Sequence, residues 1–573
     1  MNKKSINFKS MKARILPFFG ILAFFLFFSC ANSGQGQKNT GTGDKKPRIV
    51  NIVNFIRLLE PREVEITEDV LYQTVVNQVE LMNKYKLGGT FLLQYDALLD
   101  SRYQQLLKSL PDSLFEIGAW WEIPQPLVEK AGYKWRGRYP WDWHANVGFS
   151  VGYTPEEREK LVDVYMEDFK KIYGYYPKSV GSWYIDAHTL NYMYQKYGII
   201  ASCNCRDQIG TDGYTLWGGY WNQAYYPSKI NAYMPAQNEA NQIPVPIFRM
   251  LGSDHMPQYD AKLKLKRQGN VTIEPVYHYS GRDSAWIYWY FKEFVEGECM
   301  DFNYVQIGQE NSFTWRKMDV GLKIQFPLVA RLRDEKKVRV ETLAESGQWF
   351  RERYKTTPAT SVTVKQDLPG SDRKTVWFDS RFFRANILWE HGTLRFTDIH
   401  LFDENLPSDY QTKPEPTSKF FLYTLPFIDG YTTTPDEIAG LQLKAIIDGK
   451  ETVIEGENPV IDDSQTGKFY ISWPLKSISG TFKIALDEQK MEMKLDSKTA
   501  VNWFFDLGTA DNAASHLKTI ATRKIDCQYK GMDYSVSALK GTFSQPGVGV
   551  IFRISPEENK LSLNFSRTQT LKE

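Results

Sequence analysis

Between residues 47 and 354 the chain alternates short β-branched runs with segments at helical spacing, and this alternation limits its folds more than any other feature. PRIVNIVNFI (47–56) reads as a strand. From about Thr67, the residues Leu71, Val75, Val79 and Met82 fall on one helical face, which Gly88 and Gly89 end. TFLLQYDALL (90–99) and FEIGAWWEI (115–123) are the next strands. Thr154-Pro155-Glu156-Glu157 is a capping box with proline at the first helical position. KSVGSWYID (178–186), IIASCN (199–204), PVPIFRML (244–251) and NYVQIGQE (303–310) continue the strands, with helices over 190–198 and 284–295. KVRVETLAESGQWFRERY (337–354) supplies a last strand and helix. Repeated units of this kind predict a (β/α) barrel of seven or eight strands over 47–354.

From about residue 360 the pattern becomes short alternating strands joined by turns such as His391-Gly392 and Asp448-Gly449-Lys450, which predicts an antiparallel β-sandwich over 362–573. At the other end, Lys3, Lys4, Lys12 and Arg14 precede an apolar stretch that stops at Cys30. This predicts a signal peptide over 1–29 and a flexible Gly/Thr/Asn/Lys tether over 30–46. The Ser29-Cys30-Ala31 junction resembles a bacterial lipoprotein signal, with Cys30 as the lipidated residue. That resemblance implies a membrane-anchored protein on the periplasmic side or surface of a Gram-negative cell. The other cysteines, Cys203, Cys205, Cys299 and Cys527, are too scattered for a disulfide framework; a bridge from Cys203 or Cys205 to Cys299 stays open.

A formal net charge of +2 gives no electrostatic case for nucleic acid. Aromatics reach 14% of residues and gather in runs such as GAWWEIPQ, YKWRGRYPWDWHAN and GYTLWGGYWNQAYYPS, interleaved with Gly, Asn, Gln and Asp. Flat rings stack on the C–H faces of sugars, so a polysaccharide or glycan is the expected partner.

Several motifs are similar to the superfamily of barrels shared by polysaccharide deacetylases and α-mannosidase- and α-amylase-like retaining glycosidases. They are TFLLQYD, FEIGAWWEIP, PKSVGSWYIDAHTL and VETLAE. The chain after Cys30 also resembles a family of secreted two-domain lipoproteins of gut Bacteroidetes. In the deacetylases two metal-binding histidines follow the third strand. Trp120 and Pro124 stand in their places here, and Asn54, Arg57 and Glu60 replace the acidic pair of the first strand. The resemblance therefore implies the metal-independent glycosidase branch, with no metal and no cofactor. Its alternatives are a metal-dependent deacetylase-like hydrolase and an inactive glycan-binding lipoprotein.

Retaining hydrolysis needs two carboxylates. Asp186, at the place of the α-mannosidase nucleophile, and Glu310, at the polar end of a late strand, are the expected pair, with Glu122 as a third candidate. Expected to bind substrate are Asn54, Arg57, Gln94, Asp96, Trp120, Trp121, Trp183 and His188. The long aromatic, glycine-rich stretch 206–228 adds Arg206, Asp207, Asp212, Trp217 and Trp221, and the run after residue 251 adds Asp254 and His255. Several attached lipid chains hold a protein at a bilayer far more firmly than one. Cys30→Ser is therefore expected to move the protein from the membrane to the soluble fraction, read by fractionation; equal partitioning contradicts lipidation at Cys30.

Overall fold

The computed structural model describes residues 46–257, 271–430, 439–509 and 511–567. The signal segment, Cys30 and nearly all of the 30–46 tether lie outside the described residues.

The first strand, Arg48–Ile56, sits within a parallel ladder. It pairs with Asn303–Ile307 on one side and with Gly89–Leu93 on the other, while the short Arg339–Glu341 strand pairs its N-terminal half. From Gly89–Leu93 the ladder continues through Phe115–Trp120, Ser179–Gly181, Ala201–Asn204 and Ile247–Arg249, all parallel. Among the described residues no backbone ladder joins the two ends. Ile247–Arg249 also pairs, antiparallel, with the short end strand Ala224–Tyr225, and the rings of Phe248 and Tyr304 meet with centroids 4.9 Å apart, so the sheet is curled.

Alternation along the strands sorts residues between two apolar layers. Ile49, Val53 and Phe55 pack with Leu92, Trp120, Cys203, Phe248 and Tyr304 inside the curl. Val50, Ile52 and Ile56 pack with Phe91, Leu93, Ile117 and Ala119 against the helices outside. Helix Glu68–Lys84 is capped by the Thr67 side chain, and helix Pro155–Tyr173 carries the expected capping box of Thr154 and Glu157. Helix Ala187–Tyr197 ends at Gly198, whose φ of 72° is the left-handed conformation glycine adopts without a Cβ penalty.

Several strands are shorter than the sequence predicts, among them Ile247–Arg249 within 244–251 and Asn303–Ile307 within 303–310. The 90–99 run turns helical at Tyr95, after the Gly89–Leu93 strand. The 178–186 run is strand only over Ser179–Gly181. The longest helix in this region, Thr314–Asp334, has no counterpart in the sequence reading and contains Pro327. All four described cysteines are free and buried, which corrects the open possibility of a bridge to Cys299.

Beyond Thr360 the strands form two larger sheets whose ladders are antiparallel throughout. The hairpin Phe383–Glu390/Thr393–Leu401 turns at His391 and Gly392, with φ 51° and 71°. The sheets meet through rings such as Phe482 against Phe505 and Phe383 against Phe565.

One small sheet bridges the parallel and antiparallel parts. The hairpin Gln208–Thr211/Tyr214–Trp217 leaves the curled sheet and pairs in parallel with Phe420–Tyr423 from the later part of the chain. Phe420 stacks on Tyr184 with centroids 3.5 Å apart and planes 9° from parallel. Phe420→Ala is expected to cost about 3–5 kcal/mol, as for other buried aromatic truncations. Urea unfolding, with limited proteolysis of 208–217 as a local readout, checks this.

Candidate active site

The C-terminal ends of the parallel strands open into a cavity of about 330 Å³. Its walls are Trp141, Trp143, Phe149, Trp183, Tyr214, Tyr277 and Phe313, and its polar groups include Arg57, Glu60, Arg62, Arg206, Glu274, Glu310 and Lys317. A larger groove of about 520 Å³ lies elsewhere, around Lys355, Glu488 and Lys490, but among the described residues Tyr354 is its one aromatic wall. Aromatic walls with convergent charged groups mark the first cavity as the candidate site.

Strand parity explains what reaches it. Arg57 lies two residues past the inward Phe55, Glu122 two past the inward Trp120, and Trp183 two past Gly181. Glu310 lies three residues past the Asn303–Ile307 strand, beyond Gly308 with its φ of 99°, and reaches the cavity from the turn rather than by alternation. Arg57 holds Glu122 in a two-pronged pair, Nη2 to Oε1 at 2.6 Å and Nε to Oε2 at 2.8 Å. Its Nη1 lies 2.8 Å from Glu310 Oε2. Gln94 donates a further 2.8 Å bond to Glu122, which is fully buried behind the cavity wall.

One guanidinium thus faces two carboxylates, and Glu122 has the better share. Burial pushes the Glu310 carboxyl up to about 7, Arg57 and Ser312 pull against it, and Glu122 and Glu60 reinforce the rise. The neighbouring Glu60 behaves oppositely. Burial alone raises it, but its bonds to Arg62 and the Arg57 charge outweigh that and hold it below the ordinary carboxylate value. Glu274 accepts hydrogen bonds from Thr272 Oγ1 at 2.6 Å and Gln309 Nε2 at 2.8 Å. The Gln309 side-chain oxygen accepts from the Glu310 backbone N–H at 2.9 Å, so one amide links the Glu274 and Glu310 positions.

Of the residues singled out from sequence, Arg57, Trp183, Arg206, Asp212 and Glu310 line the cavity. Asp186 does not, and this corrects its reading as the nucleophile. Because the strand stops at Gly181, alternation no longer governs residue 186; Asp186 caps helix Ala187–Tyr197 instead. Its Oδ1 lies 3.0 Å from Arg158 Nη1 and also accepts from Thr189 N, while Oδ2 accepts from Ser150 and Thr189 hydroxyls at 2.6 Å each. Burial raises this carboxyl, but Arg158, Ser150 and Thr189 outweigh it and hold it below its usual value. The expected Asp186–Glu310 pair is therefore not assembled. Glu122 is the buried arginine partner described above.

Other expected contacts also have structural roles. Asn54 has outward parity and accepts from Gln78. Gln94 serves Glu122. Asp96 is buried outside the cavity lining, and burial pushes its carboxyl up to about 7 against bonds from the Ala97 and Leu58 backbones. Trp120 stacks on Phe55 at 4.1 Å, and Trp121 packs outward on Tyr165. His188 pairs with Glu159 on the helix surface at 3.0 Å.

Asp207 is locked between Arg249 and Arg384 at 2.8 and 2.6 Å. Trp217 donates to Asp429, and Trp221 stacks on Trp377 at 3.7 Å while donating to His255. Burial drives His255 down to about 3, so it is neutral, and Asp254 accepts from the Met256 backbone. These last five residues belong to the junction with the antiparallel sheets.

The sequence reading missed Glu274, Tyr277, Arg62, Trp141 and Trp143 as wall residues. The two tryptophans stood in a quoted aromatic run, whereas Glu274 lies in no strand or helix and carries no local signal.

Among the described residues the cavity lining contains no histidine or cysteine, so that donor set does not fit a histidine-held zinc site. Asn54 points away, and Pro124 opens the Gln125–Lys130 helix.

No family model and no curated protein matches the chain, so the resemblance to gut Bacteroidetes lipoproteins gains no support there. Solved structures with some likeness include a candidate glycoside hydrolase/deacetylase from Parabacteroides distasonis (TM-score 0.48, 16% identity, covering 67% of this chain and 91% of that one). A candidate polysaccharide deacetylase from Mycobacterium smegmatis has a TM-score of 0.34 and 10% identity, covering 54% and 92%. The 4-alpha-glucanotransferase from Thermococcus litoralis has 0.32 and 10%, covering 91% and 99%. At these scores the likeness is loose, and the chemistry is read from the cavity's own residues.

Asp186→Ala removes a helix cap and leaves Arg158 buried without its carboxylate, a loss of about 3–5 kcal/mol for a broken buried pair. Urea unfolding measures it; an unchanged midpoint contradicts the capping role.

Proposed function

We propose that the protein is a carbohydrate-active hydrolase that cleaves a glycan in the Trp141/Trp143/Trp183 cavity without a metal, with Glu310 as the proton donor and Glu274 as the second carboxylate. The observation that carries this reading is the pairing of these two acids in one aromatic-walled cavity, joined through Gln309. A general acid needs a proton near neutral pH, and Glu310 is pushed up to about 7 by burial. Glu274 is held by neutral donors and has no arginine or lysine ion pair among the described residues, which leaves its lone pairs available to attack carbon or to activate water. Glu60 is the less suitable partner because Arg62 binds both of its oxygens, at 2.7 and 2.9 Å. Arg57 orients Glu310, and the half-buried Trp183 ring is available for stacking, while Arg57 lies over Trp141 and Arg62 and Arg138 over Trp143. Attachment to a membrane through Cys30 belongs to the same proposal and rests on the sequence alone.

The purified chain, assayed against aryl glycosides and plant and host glycans with and without chelator, is expected to hydrolyse at least one substrate in both conditions. Glu310→Gln and Glu274→Gln should each lower kcat by about three orders of magnitude while folding normally, and Asp186→Asn should not. Azide rescue of Glu274→Ala, with the configuration of the glycosyl azide product, reads whether Glu274 attacks carbon directly. Near-wild-type rates in both glutamine variants rule out this pair, and saturable glycan binding with no turnover points to a binding protein.

The same assignment predicts a pH limb. The donor works only while protonated, so activity should fall as pH rises through about 7, the raised value of Glu310. With an activated aryl leaving group that needs no proton, the residual activity of Glu310→Gln should lack this limb. A limb that survives the substitution assigns the titration elsewhere.

A further inference from the structure

Away from the cavity, Asp398 and His400 lie on the Thr393–Leu401 strand, and Asp429 ends the neighbouring Leu425–Asp429 strand. Asp398 and Asp429 are directly opposite in the antiparallel register, an arrangement in which like charges repel. His400 follows Asp398 by two residues and shares its face. One ligand atom from each of the three lies within 4.8 Å of the others.

Hydrogen bonding fixes the state of the imidazole. The Thr424 hydroxyl donates to the Gly218 carbonyl at 2.7 Å, so at 2.9 Å it accepts from His400 Nδ1, which carries the ring hydrogen. With the ring hydrogen on Nδ1, Nε2 presents its lone pair. His400 is 2% exposed, and Nε2 has no hydrogen-bond partner. It faces Asp398 Oδ2 at 3.9 Å. A buried lone pair directed at a carboxylate is two acceptors with no donor between them. A cation supplies the partner that Nε2 lacks.

We infer that Asp398, His400 and Asp429 form a binding site for a divalent transition-metal cation such as zinc. Imidazole nitrogen with carboxylate oxygens is a zinc donor set. The Nδ1–H bond to Thr424 is the outer support that metal-bound imidazoles commonly have. Arg384 binds both Asp398 oxygens at 2.9 Å, but each oxygen keeps a second lone pair for a metal. The ion would tie these two strands to the hairpin over the cavity, because Trp217 donates to Asp429 and Gly218 accepts from Thr424.

The test uses the purified full chain, stripped with chelator and titrated with zinc sulfate, with bound metal counted by elemental analysis and melting followed in parallel. One tight equivalent and a higher melting temperature are expected, with both lost in His400→Gln and Asp429→Asn. Uptake unchanged in either variant, or no stoichiometric zinc in the wild type, overturns the site. If a variant fails to fold, cobalt-loaded wild type decides. X-ray absorption showing one imidazole nitrogen and carboxylate oxygens supports the site, and sulfur ligation or cobalt without imidazole overturns it. The activity of the cavity plays no part in these readouts.

Discussion

The candidate site is organised around a single guanidinium that must serve two acids. Arg57 enters from the first strand, and its planar fork matches Glu122 in two-pronged fashion. Both are almost fully removed from water, where separating them would strand a charge. That pairing leaves one edge of the fork for Glu310, and one positive charge cannot neutralise two buried carboxylates. The acid with the poorer share keeps its proton more readily, which gives the site a carboxyl poised near neutral pH.

The shape of the cavity follows from how the two halves of the chain are joined. The hairpin 208–217 contributes Gln208, Thr211, Asp212 and Tyr214 to the wall, and Phe420–Tyr423 supports its outer strand. Behind it, Asp207, Arg249 and Arg384 form a buried ionic chain that reaches from the curled sheet to Asp398 on the antiparallel side. Removing any member would leave its partners charged and dry, so the junction holds as a unit. The antiparallel part therefore acts on the site through the roof it holds in place.

Much of the architecture was legible in the sequence because it depends on local signals. The capping box at Thr154, the glycine stop at Gly198 and the turn at His391-Gly392 all appear where local chemistry requires them. Arg57, one residue past the Arg48–Ile56 strand, keeps that strand's inward parity, whereas Glu310 reaches the cavity only after Gly308, with φ 99°, has ended the alternation of its strand. Alternation failed at Asp186. The strand ends at Gly181, and a motif that resembled a nucleophile is a helix cap held by Arg158. Resemblance of a short motif did not carry over the direction of one side chain.

Sequence by itself determined the alternating strand–helix plan, the change to antiparallel strands after residue 360, the aromatic character of the cavity walls and two of its central polar residues. Periodicity, caps and turns are short-range and survive in one dimension. Tertiary structure decided which carboxylates meet. Glu274 stands in no regular element, and only the folded chain brings it to Gln309, beside Glu310. It also decided that most of the tryptophans and acids of 206–228 and 251–255 serve the junction rather than the cavity, because burial and ion pairing depend on partners over a hundred residues away.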